Sequence, residues 1–175
     1  LVLKIFKKHN VELELNKDSK KLLDYDLVGK LGKKKITVEC KYDWLSQKTN
    51  NLAIEFYNSN KETASGIDGT KALLWSHVIL DKGNPTVWLT SVKKLKQFIK
   101  DNKPWKIIEK AGDGNSSLYL YQDIVILDAV FTRIDMLEEK EFTKTVKELL
   151  KWELIIHTFA SILKPGDEVL VSALE

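Results

Sequence analysis

A chain of 175 residues, 43% hydrophobic and 30% charged, is sized for one domain with a core of its own and shows no internal repeat. A net charge of +3 is too mild to indicate a nucleic-acid partner by itself, and a single cysteine, Cys40, excludes an internal disulfide and any cysteine-built zinc site, as suits a reducing cytosol. No apolar run is long enough to cross a bilayer and residues 1–6 are too short and too basic for a signal peptide, so the expectation is a soluble cytoplasmic protein, or a virus-encoded one acting inside the host cell, with no membrane partner.

In chain order, the spacing of residues 1–9 predicts a short amphipathic helix with Val2, Leu3 and Phe6 inward. Residues 11–15 alternate as a strand does, and residues 16–19 are turn-like. Residues 24–29 form the next expected strand, residues 30–34 a hairpin turn around Gly32, and residues 35–43 its partner. A polar loop leads to a strand at residues 52–57, then a long loop at 58–70 and a short helix at 71–74. Strands at 75–80 and 86–89 flank a turn ending in Pro85. Ser91 reads as the N-cap of a helix to residue 100 with Leu95, Phe98 and Ile99 inward, stopped before Pro104.

Strands at 106–109 and 118–121 surround the turn Gly112-Asp113-Gly114-Asn115, and residues 124–130 are apolar without a decided period. Residues 141–163 carry Phe142, Val146, Leu149, Leu150, Trp152, Ile156, Phe159 and Leu163 near helical spacing, and Lys164-Pro165-Gly166 stops that helix, which suits packing or partner docking. Residues 168–174 suit an edge strand. The expected fold is α/β, a central mixed β-sheet flanked by helices with a long C-terminal helix. Residues 1–175 form one domain, with a core to about 122 and a helical extension over about 123–175.

The chemistry concentrates in Lys35-Ile36-Thr37-Val38-Glu39-Cys40-Lys41-Tyr42-Asp43. As a strand, this run places Ile36, Val38, Cys40 and Tyr42 on one face and Thr37, Glu39, Lys41 and Asp43 on the other. Asp26, thirteen positions before Glu39, would meet it across the Gly32 turn. Phosphodiester hydrolysis needs a divalent cation held by carboxylates to neutralise phosphate oxygens and acidify water, plus a cation to orient that water. Asp26, Glu39 and Lys41 supply those groups, and the Cys40 backbone carbonyl would complete the metal shell.

Asp24 shares the strand face of Asp26 and competes with it, Glu55 points away from Leu52, Ile54 and Phe56, and Asp43 either supports Lys41 or caps a turn. His9, His77 and His157 lack a zinc-binding spacing, Cys40 reads as a small buried side chain, and the glycines near residue 112 lack the lysine-serine ending of a phosphate-binding loop. Trp44 stands beside the run in a polar loop, where it is able to stack on a base. Lysines crowd the first 35 residues and residues 93–110, while Arg133 is the sole arginine, so a nucleic-acid partner would be gripped by phosphate, with Lys33, Lys34, Lys35 and Lys48 as candidates.

Tyr25-Asp26, a turn of about a dozen residues, then Glu39-Cys40-Lys41 resembles the PD-(D/E)XK motif of the restriction-endonuclease-like nucleases, with tyrosine in place of proline. Asn51-Leu52-Ala53-Ile54-Glu55-Phe56, Ser65-Gly66-Ile67 with Thr70, and the loop from Gly112 to Ser117 are similar to small phage-type members, so the resemblance covers residues 23–117. It implies a restriction-endonuclease-like core, Asp26 and Glu39 as ligands of Mg²⁺ or Mn²⁺, and Lys41 as the residue that positions the attacking water. Many members also carry a first-helix glutamate; residues 1–9 have none, leaving Glu14 or Glu12 as substitutes.

The expected activity is a DNA endonuclease with weak sequence preference and some preference for substrate shape. A homodimer fits if both strands are cut. The alternatives are an RNA endonuclease of the viral cap-snatching type, with His9 as its additional metal-binding histidine, and a catalytically silent nucleic-acid-binding or assembly module.

Overall fold

The computed structural model describes residues 1–18, 24–111, 114–122 and 125–162, with backbone alone for residues 125, 126 and 153–162. Helix α1 (Val2–Lys8) is followed by β1 (Leu13–Leu15), β2 (Leu27–Leu31) and β3 (Lys34–Asp43). A single-turn α2 (Ser46–Thr49) leads to β4 (Asn51–Asn58), the two-residue β5 (Thr63–Ala64) and α3 (Gly66–Gly69). The hairpin β6 (Leu74–Asp81) and β7 (Asn84–Ser91) runs into α4 (Val92–Asp101), where the Ser91 hydroxyl accepts the Lys94 amide as the expected cap. The chain continues through β8 (Lys106–Ala111), β9 (Ser116–Gln122), α5 (Val125–Val130) and β10 (Thr132–Arg133) to α6 (Glu139–Ile162).

The six-stranded sheet runs β1-β2-β3-β6-β7-β10 and is mixed: β3 and β6 are parallel and the other pairs antiparallel. The expected hairpin forms, with Leu31 opposite Lys34 and Gly32 at φ +61°, a left-handed conformation glycine adopts without steric cost. The strands at 52–57, 106–109 and 118–121 do not join this sheet. They build a separate antiparallel one, ordered β5-β4-β9-β8, which corrects the expectation of a single sheet.

Both faces of the mixed sheet are covered, which is why β6 is buried from Leu74 to Ile79 without alternation. On one face Val2, Ile5 and Phe6 of α1 and Phe142, Val146, Leu149 and Leu150 of α6 close over Ile36, Val38, Leu74 and Val87. Phe6 meets Phe142 edge to face at 5.0 Å. On the other face Trp75, Ile79 and Trp88 pack with Leu52 and Ile54 of β4, Tyr121 of β9, Ile67 of α3 and Leu95 of α4.

Several local expectations change. Residues 71–73 are extended rather than helical: Lys71 N–H bonds the Asp24 carbonyl, Leu73 N–H bonds Thr37, and Leu74 already pairs with Val38. The helical turn lies earlier, in α3. Residues 125–130 resolve as helix, Tyr42 lies 60% exposed beyond the helical cover, and Trp152 is 44% exposed. Leu163, the stop at 164–166 and the strand at 168–174 lie outside the described residues, as do the side chains of Ile156, His157 and Phe159. Among the described residues, no helix is long and apolar enough to cross a membrane.

Candidate active site

The site lies where β2 ends and β3 continues. The regular β2–β3 pairing ends at Leu27 with Val38, and one step before it the Asp26 N–H bonds the Val38 carbonyl, which brings Asp26 beside Glu39. The Cys40 N–H points to the same edge, where β2 no longer offers a carbonyl. Asp26 Oδ2 takes that place, accepting the Cys40 amide at 2.7 Å. A residue's N–H and C=O share one strand edge, so the Cys40 carbonyl also faces the Asp26 side.

Glu39 is 8% exposed. Its Oε1 lies 2.9 Å from Lys41 Nζ and its Oε2 3.1 Å from the Thr70 hydroxyl, which is also 3.0 Å from the Asp24 carbonyl. Burial raises the Glu39 pKa above its usual value, and the charge of Asp26 adds to this; Lys41 and Thr70 pull the other way. For Lys41 burial acts to lower the pKa, but Glu39 and Glu55 outweigh it and the net shift is upward. Its ammonium is 3.4 Å from Glu55 Oε2 and 5.8 Å from the centre of the Trp75 ring.

Glu55 comes from the second sheet. A bulge between Glu55 and Tyr57 interrupts the β4–β9 register beside it. Its Oε1 accepts the Ser65 hydroxyl at 2.8 Å and lies 3.5 Å from that of Ser116. Gly66, at φ +50°, lets the chain press against the Glu55 backbone, where a Cβ would collide with the Glu55 carbonyl. Glu39 and Glu55 thus flank a single ammonium, a local balance of −1, while the charge of Asp26 acts on Glu39.

The other candidates are placed elsewhere. Asp43 acts as a turn cap: Oδ1 accepts the Leu45 and Ser46 amides at 3.1 and 3.0 Å, and Oδ2 the Ala53 amide at 3.3 Å. Burial works to raise its pKa, yet His77 and these amides hold it below the usual value. Asp24 pairs with Lys71 at 3.0 Å, and Glu14 shares the Glu39 face but sits two strands away, opposite Val28. His9 is buried on the far face, stacked on Phe142 at 4.2 Å, which removes it from the site.

Lys34 Nζ bonds the Leu150 carbonyl of α6, Lys35 lies over Tyr25, Lys48 over Trp44, and Lys33 is exposed in the turn. The Cys40 thiol is pushed up to about 12 by burial and nearby carboxylates, so it offers no nucleophile. The sequence assigns no site role to Thr70, Ser65, Ser116 or Trp75, although Ser65, Thr70 and Ser116 stand in the segments that carry the resemblance.

Among the described residues, no group of three or more His, Cys, Asp or Glu side chains is arranged to hold a metal ion. Two carboxylates and one backbone carbonyl, all oxygen donors, suit Mg²⁺ or Mn²⁺, ions that keep several waters when bound. The repulsion of Glu39 by Asp26 is what a cation between them would relieve. The arrangement defines an acid–lysine cluster around the buried Glu39 at the open end of a mixed sheet. The sequence matches no model of a known protein family and no curated protein.

Proposed function

We propose that this chain is a divalent-metal-dependent endonuclease that hydrolyses phosphodiester bonds in DNA, with a restriction-endonuclease-like core. The observation that carries this reading is the row Asp26, Glu39, Lys41: Asp26 is fastened to the Cys40 amide, its charge acts on Glu39, and Glu39 lies 2.9 Å from the Lys41 ammonium. A Mg²⁺ or Mn²⁺ ion held by Asp26, Glu39 and the Cys40 carbonyl would neutralise phosphate charge and acidify water.

The residues divide the remaining work. Lys41 has a raised pKa and stays an ammonium, so it donates hydrogen bonds: it holds the attacking water and answers charge developing on the phosphate, and it takes no proton. Glu55, fixed by Ser65, holds Lys41 from the second sheet, and Thr70 fixes the rotamer of Glu39. The near absence of arginine supports phosphate gripping with weak sequence preference. Two-strand cutting would use a homodimer.

A second reading, a catalytically silent module on the same sheet, is favoured by the engagement of Lys41 with both Glu39 and Glu55. Metal uptake separates the two. Calorimetric titration with Mn²⁺ is expected to show binding that Glu39→Ala removes; no uptake, or uptake indifferent to Glu39→Ala, contradicts the endonuclease.

A further inference from the structure

Beyond Lys41 and Glu55 the site opens into a cleft of about 600 Å³ between the end of β3 and the second sheet. Its floor is apolar, with Ile108 and Leu118 of β8 and β9, and its rim carries Trp44, 53% exposed just past the end of β3. Lys48 Nζ sits 5.6 Å from the centre of the Trp44 ring. An exposed indole is costly to leave in water, and here it stands beside a cation at the mouth of a cleft continuous with the catalytic row.

A second, independent feature lies in the wall. His77 is fully buried and lines the cleft next to Lys41, its register partner on β3. The Trp75 indole N–H donates to His77 Nδ1 at 3.3 Å, which places the imidazole proton of the neutral ring on Nε2. That Nε2–H lies beyond hydrogen-bond length of any acceptor; the Oδ2 of Asp43, whose pKa His77 helps to lower, is 3.8 Å away and also holds the Ala53 amide. A buried donor left unmade is unfavourable, and an acceptor on a ligand in the cleft would satisfy it once the wall shifts enough to uncover the sealed Nε2.

We infer that this cleft receives an unpaired nucleotide of the DNA strand next to the scissile phosphate, its base stacked on Trp44 and its edge turned to the wall that His77 lines. Lys48 lies where it answers the adjoining phosphate. A flat π-face beside a cation suits any base, whereas a paired base would keep its edge and faces inside the duplex. The substrate class is therefore DNA with an unpaired position beside the cleavage site, such as a bulge, flap or junction. The nature of the strand rests on the endonuclease reading.

The test measures binding without divalent metal, which separates it from catalysis. Two duplexes carry one 2-aminopurine, unpaired as a bulge in one and paired in the other, and affinity is read by anisotropy together with quenching of the 2-aminopurine emission. The wild-type chain is expected to bind the bulged duplex about tenfold or more tighter, with quenching. Trp44→Ala should bring the ratio near one, Trp44→Phe should keep most of it, and Trp152→Ala, at an exposed position of α6, should leave it unchanged. Equal affinities in the wild type, or an undiminished ratio in Trp44→Ala, overturn the inference, and selective binding of a bulged ribonucleotide overturns its assignment to DNA. Failure to cleave with Mn²⁺ sinks the endonuclease reading and leaves this binding ratio to be judged on its own.

Discussion

The Asp26 carboxylate completes the β2–β3 ladder with its side chain, accepting the Cys40 amide at 2.7 Å where the backbone of β2 has run out. The residue that precedes β2 thus caps the ladder and brings a second carboxylate charge to bear on Glu39. Asp26→Ala leaves the Cys40 N–H without that acceptor and is expected to cost about 1 kcal/mol in a denaturant titration. Asp26→Asn removes the charge that helps raise Glu39, so the Glu39 pKa should fall when followed by NMR titration. An unchanged Glu39 titration would mean that the two carboxylates do not share a field.

Under the proposed function Glu39 sets the pH dependence of metal uptake. Its pKa in the folded chain is raised, so protons compete with the cation as pH falls towards and below that value, and binding there releases a proton. Calorimetry at pH 5 and pH 7 should show weaker Mn²⁺ binding at the lower pH. Without metal, the same raised pKa makes Glu39 favour the folded state at low pH and oppose it as pH rises through the folded value.

Lys41 neutralises its surroundings, so Lys41→Ala should raise the Glu39 pKa further and cost about 1–3 kcal/mol of stability. Under the proposed mechanism cleavage falls by about 10²–10³-fold, the loss of one charge-stabilising donor. A variant with wild-type stability and an unmoved Glu39 would show that the 2.9 Å contact carries no weight.

His9 gives a stability signal separate from the site. Buried against Phe142, with both ring nitrogens lacking partners, it has a pKa lowered by burial and then by Lys8, against the opposing charges of Glu139 and Glu138. The unfolded chain therefore binds the proton more readily. Stability is full above the ordinary value of 6.5 and declines as pH falls from there towards the lowered folded value. The melting temperature should drop between pH 7.5 and 5.5, and His9→Leu should flatten that drop; equal slopes would exclude His9 as the source.

The parts legible in the sequence were those fixed by short-range pattern. Alternation placed Glu39 and Lys41 on the face away from Ile36 and Val38, Gly32 marked the hairpin, and Ser91 capped α4. The partners of the site were not legible, because they arrive from far along the chain. Thr70 reaches Glu39 across 31 positions and Ser116 reaches Glu55 across 61, with no local period to announce either. Residues 71–74 were misread as helix because their local composition says nothing of Val38, whose pairing draws Leu74 into a strand. Alternation likewise gives the face of β4, but not which sheet it joins.

The central claim is tested most directly by incubating the protein with Mg²⁺ or Mn²⁺ and a panel of linear, flapped, four-way and single-stranded DNA, with RNA alongside and Lys41→Ala as control. The account predicts metal-dependent cleavage of DNA, strongest on substrates with unpaired positions and lost in Lys41→Ala. Cleavage that persists in Lys41→Ala, or its absence on every substrate in the presence of either metal, contradicts it.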